Sequence, residues 1–399
     1  MKKNRVIGVL ACLSLSVLLV GCGQQKKSDK LVIWSNMEVE ADTIKEYGEK
    51  WSKETGYEIE IVHETPDVQQ FVQATNSASG PDAVIGIAND QLANYVTAGL
   101  VSEVPQELFQ DSDYVEAAVE ACYVDGKRYA APLAVETVTL FYNTDKVPSA
   151  PVTWEELLQV ASEQGGIQFE ATSIYYDLGF VRAFDSYIFP YKDGEYDVND
   201  LGLGNKGAVN AYEFIQSLAG EYGFLSANVT SDIAKSNFQN GETAFYIGGP
   251  WDVDGFTSAG TPFAVAPMPS LNNNNFVTPV GTQVSFVSKK SKKQDRAWDF
   301  IMYLMEKGAI DLYNVGARIP ANISLQQMEE IQSDEISKAF VEQINQGEPL
   351  PTVSELGQVW TPYTNNMKAM LNGEIDAATA ASNIEKQIKE GIELMNSGR

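Results

Sequence analysis

One histidine decides much of what this chain cannot do. His63 is the only imidazole in 399 residues, so neither an H-E-x-x-H metal helix nor a Ser-His-Asp or Cys-His nucleophile can be assembled without that single ring. It follows the alternating stretch Glu58-Ile59-Glu60-Ile61-Val62, which reads as a strand, so it is expected to be structural or to face a loop. Other chemical signatures fail on context. Gly202-Leu203-Gly204-Asn205-Lys206-Gly207 has G-x-G-x-x-G spacing, but a dinucleotide turn needs a hydrophobic strand before it, and Tyr196 to Asp200 is rich in turn residues. Asp197, Asn199 and Gly202 hint at a calcium loop, yet Leu201 replaces a ligand and Ala208 stands where the closing glutamate belongs. The chain has no G-x-x-x-x-G-K-[ST] and no G-x-S-x-G. Glu155 and Glu156 could be imagined as a glycosidase pair. A capping box accounts for them better, with Thr153 capping the first turn and Glu156 reaching back. No catalytic residue, metal or cofactor is expected.

The remaining reactive side chain of note is Cys22. Lys2, Lys3 and Arg5 precede an uncharged apolar run from Val6 to Val20, the pattern of a secretory leader and too short for a membrane span. The run ends in Leu19-Val20-Gly21-Cys22, which resembles a bacterial lipobox: small Gly21 admits the peptidase and the Cys22 thiol takes a diacylglycerol. The expectation is a leader over residues 1–21 and a lipidated polar tether over 22–29, holding the protein on the extracellular face of the cell membrane through acyl chains alone. Cys12 leaves with the leader, so Cys122 is the one thiol left and no internal disulfide can form.

About 370 residues follow the tether, too many for one ordinary core and enough for two domains. Lys and Arg number 28 against 54 Asp and Glu, a net charge of −26. Such a surface repels nucleic acid and anionic membrane and suits a neutral ligand.

The elements that must position any site follow from periodicity. Lys30 to Trp34 and Ala83 to Ile87 are apolar runs that read as buried strands, with Glu58 to Val62 as a third. Ile44, Tyr47 and Trp51 share a helical face closed by Gly56, and a second helical stretch begins near Phe71. Strand, helix, strand, helix, strand implies a parallel sheet with crossover helices, whose ligands bind beyond the carboxyl ends of the strands. That singles out Ser35-Asn36-Met37-Glu38 and Ala88-Asn89-Asp90-Gln91. Residues 129–143, YAAPLAVETVTLFYN, form a long extended run suited to crossing between domains. Ala208 to Leu218 reads as a helix, Gly241 to Ile247 as a strand entering Gly248-Gly249-Pro250-Trp251, and Asn272 to Asn275 as a polar loop. Ser285 to Val287 returns to strand, Ala297 to Met305 is amphipathic, and Ile384, Ile388 and Ile392 form one helical stripe. The lysines at 289, 290, 292 and 293 read as a solvated turn.

The ordered landmarks LVIW, SGPDAV, YAAPLAVETVTLFYN, VTWEEL, FQNGETAFYIGGPW, PVGTQVSF and the late Trp360 resemble the maltose/maltodextrin-binding proteins, solute-binding subunits of bacterial ABC importers. The resemblance implies two α/β lobes of the periplasmic-binding-protein type, a hinge, and an interlobe cleft. It implies a first lobe over 30–134 and 284–328, and a second over 135–283 and 329–399. It further implies an oligosaccharide ligand, a transmembrane permease as partner, a monomer, and no enzymatic activity. Aromatic rings stack on the C–H faces of a sugar while carboxylates and amides bind its hydroxyls. At positions matching the family's sugar contacts the chain keeps Asn36, Glu38, Asp90, Glu136, Tyr175, Trp251 and Trp360. It departs at Ile87 and Gln91, which replace an aromatic and an arginine, at Thr361 and Thr364, which replace the same pair after the late tryptophan, and at Ser173, which replaces a carboxylate. Gln91 stays a candidate contact, and Tyr176 beside Tyr175 is a candidate compensation. The departures leave open maltodextrins, cyclodextrins or a non-α-glucan as ligand. A lipid-anchored glycosidase and a surface scaffold remain alternatives of other classes.

Overall fold

The computed structural model describes residues 29–64, 68–76, 80–192 and 195–397; the leader, Cys22 and most of the tether lie outside the described residues. Two sheets organise the molecule. The first contains β1 (Leu31–Ser35), β2 (Ile59–His63), β3 (Ala83–Ala88) and β4 (Ala131–Thr137). The chain then enters a second sheet with β5 (Thr139–Asn143), β6 (Ile167–Gln168), β7 (Phe245–Gly248) and β8 (Phe263–Ala266). It returns to the first with β9 (Pro279–Val287), β10 (Ile319–Pro320) and β11 (Glu348–Pro349). The first sheet has the order β10-β4-β9-β3-β1-β2, with β11 beside β9, and the second has the order β8-β5-β7-β6.

β1 pairs in parallel with β2 and β3, as the strand-helix alternation implies. The rest of the sheet corrects that reading: β9 is antiparallel to both β3 and β4, and β10 is antiparallel to β4. A strand covered on both faces is apolar whichever way it runs, so Val284, Phe286 and Val287 carry no signal of direction. The long extended run divides at Val138, its first part in one sheet and its second part in the other.

Helix α1 (Ala41–Thr55) buries Ile44, Tyr47 and Trp51 and ends at Gly56, whose φ of 76° is left-handed. Trp51 donates to Asp299 at 2.7 Å and meets the Phe300 ring at 5.6 Å. Helix α2 (Trp154–Gln164) starts as expected, with Thr153 Oγ1 accepting from the Glu156 amide at 3.2 Å. Glu156 reaches past the cap residue and accepts from the Val152 amide at 2.9 Å, so the box closes one residue further out. Trp154 packs on Phe180 of α3 (Ile174–Ala183), with ring centroids 5.0 Å apart, at the centre of the second core. Residues 202–207 hold no strand-to-helix phosphate turn. Gly202 packs against the Tyr187 backbone, and Asn205 caps the helix Lys206–Gly220. The Asn272–Asn275 loop is pinned, because the amides of Asn272 and Asn274 both donate to Ala183 O. Lys293 is likewise engaged, in an ion pair with Asp82 at 3.1 Å.

Helix α4 (Glu335–Ile344) joins the two cores. Phe340 meets Phe141 of β5 with centroids 6.0 Å apart. Buried Gln343 receives the Met268 amide at 2.8 Å and donates to Phe276 O at 2.9 Å and Thr278 Oγ1 at 3.0 Å. Thr137 Oγ1 lies 2.7 Å from Thr278 Oγ1 and donates to Pro279 O at 2.8 Å. Helices α5 (Trp360–Leu371) and α6 (Ala377–Ser397) finish the second core, with Ile384, Ile388 and Ile392 of α6 buried.

β3 carries one local device that serves the loops beyond it. Gly86 has φ of +74°, and a Cβ there would lie 2.5 Å from Met37 Sδ. The glycine lets the Met37 side chain cross β3, which sets the course of the chain after β1. Gly86→Ala is expected to destabilise the protein by about 2 kcal/mol or more, since it adds left-handed strain to a steric collision. Urea unfolding would show this as a lower midpoint at unchanged slope.

Candidate ligand-binding cleft

The candidate residues come from strand ends and helix starts, where the chain is held by a sheet yet side chains are free to reach outward. Asn36 and Glu38 follow β1; Asn36 is half-buried with its amide bonded to Ile85 O at 3.1 Å, and Glu38 is exposed. Asp90 and Gln91 lie in the turn Asn89–Gln91 after β3. This turn comes alongside the turn Ser354–Gln358, which leads into Trp360 from the opposite side. Asn89 fastens it by accepting from the Thr282 amide at 3.0 Å. Asp90 is the unusual member: its Oδ1 is buried without a hydrogen-bond partner, and burial raises its pKa. Ile87 is fully enclosed in a separate apolar cluster with Phe71, Leu92 and Phe286 and offers no platform.

Glu136, near the end of β4, is held from two sides. Gln283 donates to its Oε1 at 3.1 Å, and Arg318 forms an ion pair with its Oε2. Arg318 also bonds Glu40 Oε1 through Nε at 2.9 Å, and Glu40 is fully buried. Burial opposes the charge of Arg318, but Glu136 and Glu40 together outweigh it and raise its pKa. Sequence reasoning passed over Arg318 and Glu40. Arg318 directly follows Ala317, a non-glycine residue at φ of 52°, a conformation that redirects the chain but is invisible in residue type.

The second sheet supplies the rings. Tyr175 opens α3, half-buried, with its phenol pKa raised well above the ordinary value by burial first and then by Glu136, Tyr176 and Asp90. Tyr175 thus stands in the field of the first-sheet cluster. Trp251 lies in the turn Pro250–Asp252 after β7, is 40% exposed, and meets the Tyr175 ring with centroids 6.4 Å apart. Its base is rigid: Asp252 accepts from Tyr246 OH at 2.9 Å and pairs with Lys235 at 2.9 Å. Tyr176 is brought to the same group: its ring meets the Tyr175 ring edge-on with centroids 5.7 Å apart. It is buried, and its other neighbours include Asp252, Glu170 and Ser231. Trp360 is half-buried on the second core and is not one of the rings meeting Tyr175 or Trp251 among the described residues. α3 and α5 are tied by Tyr363 OH, which donates to buried Asp177 at 2.9 Å.

Beside this group lies a cavity of about 550 Å³, lined by Val39, Glu40 and Arg318 and by Lys235, Trp251 and Asp254; of the sequence candidates Trp251 alone borders it. An aromatic shelf facing a hydrogen-bonding wall across an interlobe gap defines a two-lobed solute-binding protein. The chain belongs to the bacterial extracellular solute-binding protein family, whose pattern matches residues 44–339. It is 28% identical to a galactooligosaccharide-binding protein of Bacillus subtilis (strain 168), over 98% of each chain. It is also 28% identical to a maltooligosaccharide ABC transporter solute-binding lipoprotein of Streptococcus pneumoniae (strain ATCC BAA-255 / R6), over 98% of this chain and 97% of the other. Its fold matches a cyclo/maltodextrin-binding protein solved with maltotetraose, with a TM-score of 0.86, 28% identity, and coverage of 93% of this chain and 99% of that one.

The state of Asp90 gives a test. Its folded pKa lies above the unfolded value, so the folded form binds more protons between the two and stability falls as pH rises through that window. Asp90→Asn removes this term. The variant is expected to melt above the wild type at pH 7, with the difference shrinking toward zero as pH drops below the ordinary aspartate range. Parallel thermal scans across pH would check it.

Proposed function

We propose that the protein captures a neutral oligosaccharide in the cleft, closes its lobes around it, and delivers it to the permease of an ABC importer. The observation that carries this reading is the pairing of Tyr175 and Trp251 on one wall with Glu136 and Asp90 on the other. A sugar has apolar faces and a rim of hydroxyls, and these walls present a partner for each. Each wall belongs to a different sheet, so a bound ligand that bridges them favours the closed arrangement over the open one. The proposed lobes are 30–134 with 284–328 and 135–283 with 329–399; Glu136 and the start of β9 lie at the crossing between them, hydrogen-bonded within the first sheet. In this reading Cys22 anchors a monomer to the outer face of the membrane, and nothing in the cleft turns the ligand over. Asn36, Glu38, Gln91 and Trp360 supply the outer contacts.

Two relatives named for different sugars support a shared chemistry with an open choice of ligand: galactooligosaccharide in one, maltooligosaccharide in the other. The enclosure of Ile87 favours a ligand that needs no first-lobe aromatic at that position. Calorimetric titration with maltotriose, longer maltodextrins, a cyclodextrin and galacto-oligosaccharides tests the proposal. Saturable binding without product supports it, whereas hydrolysis or no binding to any of them overturns it. Trp251→Ala should weaken the preferred ligand by roughly 1–3 kcal/mol. Because Trp251 is 40% exposed, the thermal midpoint should stay close to that of the wild type. Unchanged affinity would remove Trp251 from the site.

A further inference from the structure

We infer that Arg318 is a ligand-binding residue, a cationic hydrogen-bond donor held in place for the hydroxyls of a neutral sugar; this rests on the oligosaccharide reading above. The guanidinium has five N–H donors. Nε is engaged by Glu40 and Nη1 by Glu136, which leaves donors for a third partner. The side chain lines the cleft cavity and remains 22% exposed there. A group whose only task was to neutralise Glu40 could be fully enclosed with it, as Glu40 itself is.

The two carboxylates fix the plane of the guanidinium from different elements. Glu40 stands at the start of α1, and Glu136 near the end of β4. Gly316 makes room for the first of them, since a Cβ there would collide with Glu40 Oε1. The fork therefore needs no reordering when ligand arrives, which preserves affinity. Glu40 Oε2 is buried without a partner, so the arginine's hold on Glu40 is single. The surroundings also set the class of ligand. Glu40 and Glu136 flank the one guanidinium, and Asp90 belongs to the same group of residues around Tyr175. An added sugar carboxylate would meet this negative field, so the site accepts neutral hydroxyls and rejects uronates.

The test is calorimetric titration of the full chain and of Arg318→Lys with maltotriose, a galacto-oligosaccharide and digalacturonate. Lysine keeps the charge but not the planar fork. The expected result is that Arg318→Lys loses at least about tenfold in affinity for the neutral sugar that the wild type prefers, as expected for a charged hydrogen bond. Its thermal midpoint should stay within about 5 °C of the wild type. Wild type should bind digalacturonate at least about tenfold more weakly than the neutral sugar. A purely structural arginine would move the midpoint and leave affinity alone, and that result overturns the inference. Digalacturonate binding as tight as the neutral sugar overturns it too. Should Arg318→Lys fail to fold, the double variant Glu40→Gln/Arg318→Gln removes the cation and its buried counter-charge together and is read in the same way. Wild type binding no sugar would sink the proposed function itself, whereas wild-type binding with unaltered variants would sink only the role of Arg318.

Discussion

The structure depends on a small polar knot where the chain passes between its two sheets. At a crossing the backbone leaves one hydrogen-bonded ladder before it enters the next, and its polar groups must find other partners or remain costly. Here Thr137, Thr278 and Gln343 supply them. The two threonines bond each other and Pro279 O, while Gln343 reaches Met268, Phe276 and Thr278. All three side chains are buried. The chain passes the knot on β4, on β9 and again before β11, which pairs with the start of β9. Side-chain hydrogen bonds of this kind hold the segments together while allowing their backbone angles to vary more than a continuous sheet would. A hinge needs that combination.

The knot also explains why the ligand chemistry is split between the lobes. β4 carries Glu136 within two residues of Val138, where the chain changes sheet. Trp251 and Asp90 stand on turns at strand ends. An electrostatic cost falls on Asp90, whose Oδ1 is buried without a hydrogen-bond partner. Groups that would be stabilised by a partner but lack one are common where a ligand is meant to supply it.

Much of this was legible in the sequence because it rests on local rules. α1 with its Gly56 stop, Thr153 at the start of α2, and the isoleucine stripe of α6 follow from period and cap chemistry. The turns after β1 and β3 were legible from strand order alone. What could not be read depends on the third dimension. The direction of β9 was hidden by its uniform burial. Arg318 is 182 residues from Glu136 and 278 from Glu40, so no spacing rule could join them. The pairing of Tyr175 with Tyr176 as cleft candidates is a different case. Their rings meet edge-on with centroids 5.7 Å apart, although successive helical residues point about 100° apart, a contact that periodicity alone does not reveal.

Beyond that contact the two tyrosines meet different neighbours. In the first turn of α3, Tyr175 meets the first-sheet carboxylates while Tyr176 is committed to the support beneath Trp251, beside Asp252 and Ser231. The first position can vary with the ligand, but the second is constrained by Asp252, which also holds Tyr246 and Lys235. The same division exists across the gap, where Glu40 is fully enclosed and Arg318 is shared between that enclosure and the cavity. On each side of the cavity a buried acidic group fixes a residue that borders it, Asp252 holding Lys235 and Glu40 holding Arg318. Specificity can then drift at the exposed partner while the buried one preserves geometry, which is consistent with relatives of equal identity bearing the names of different oligosaccharides.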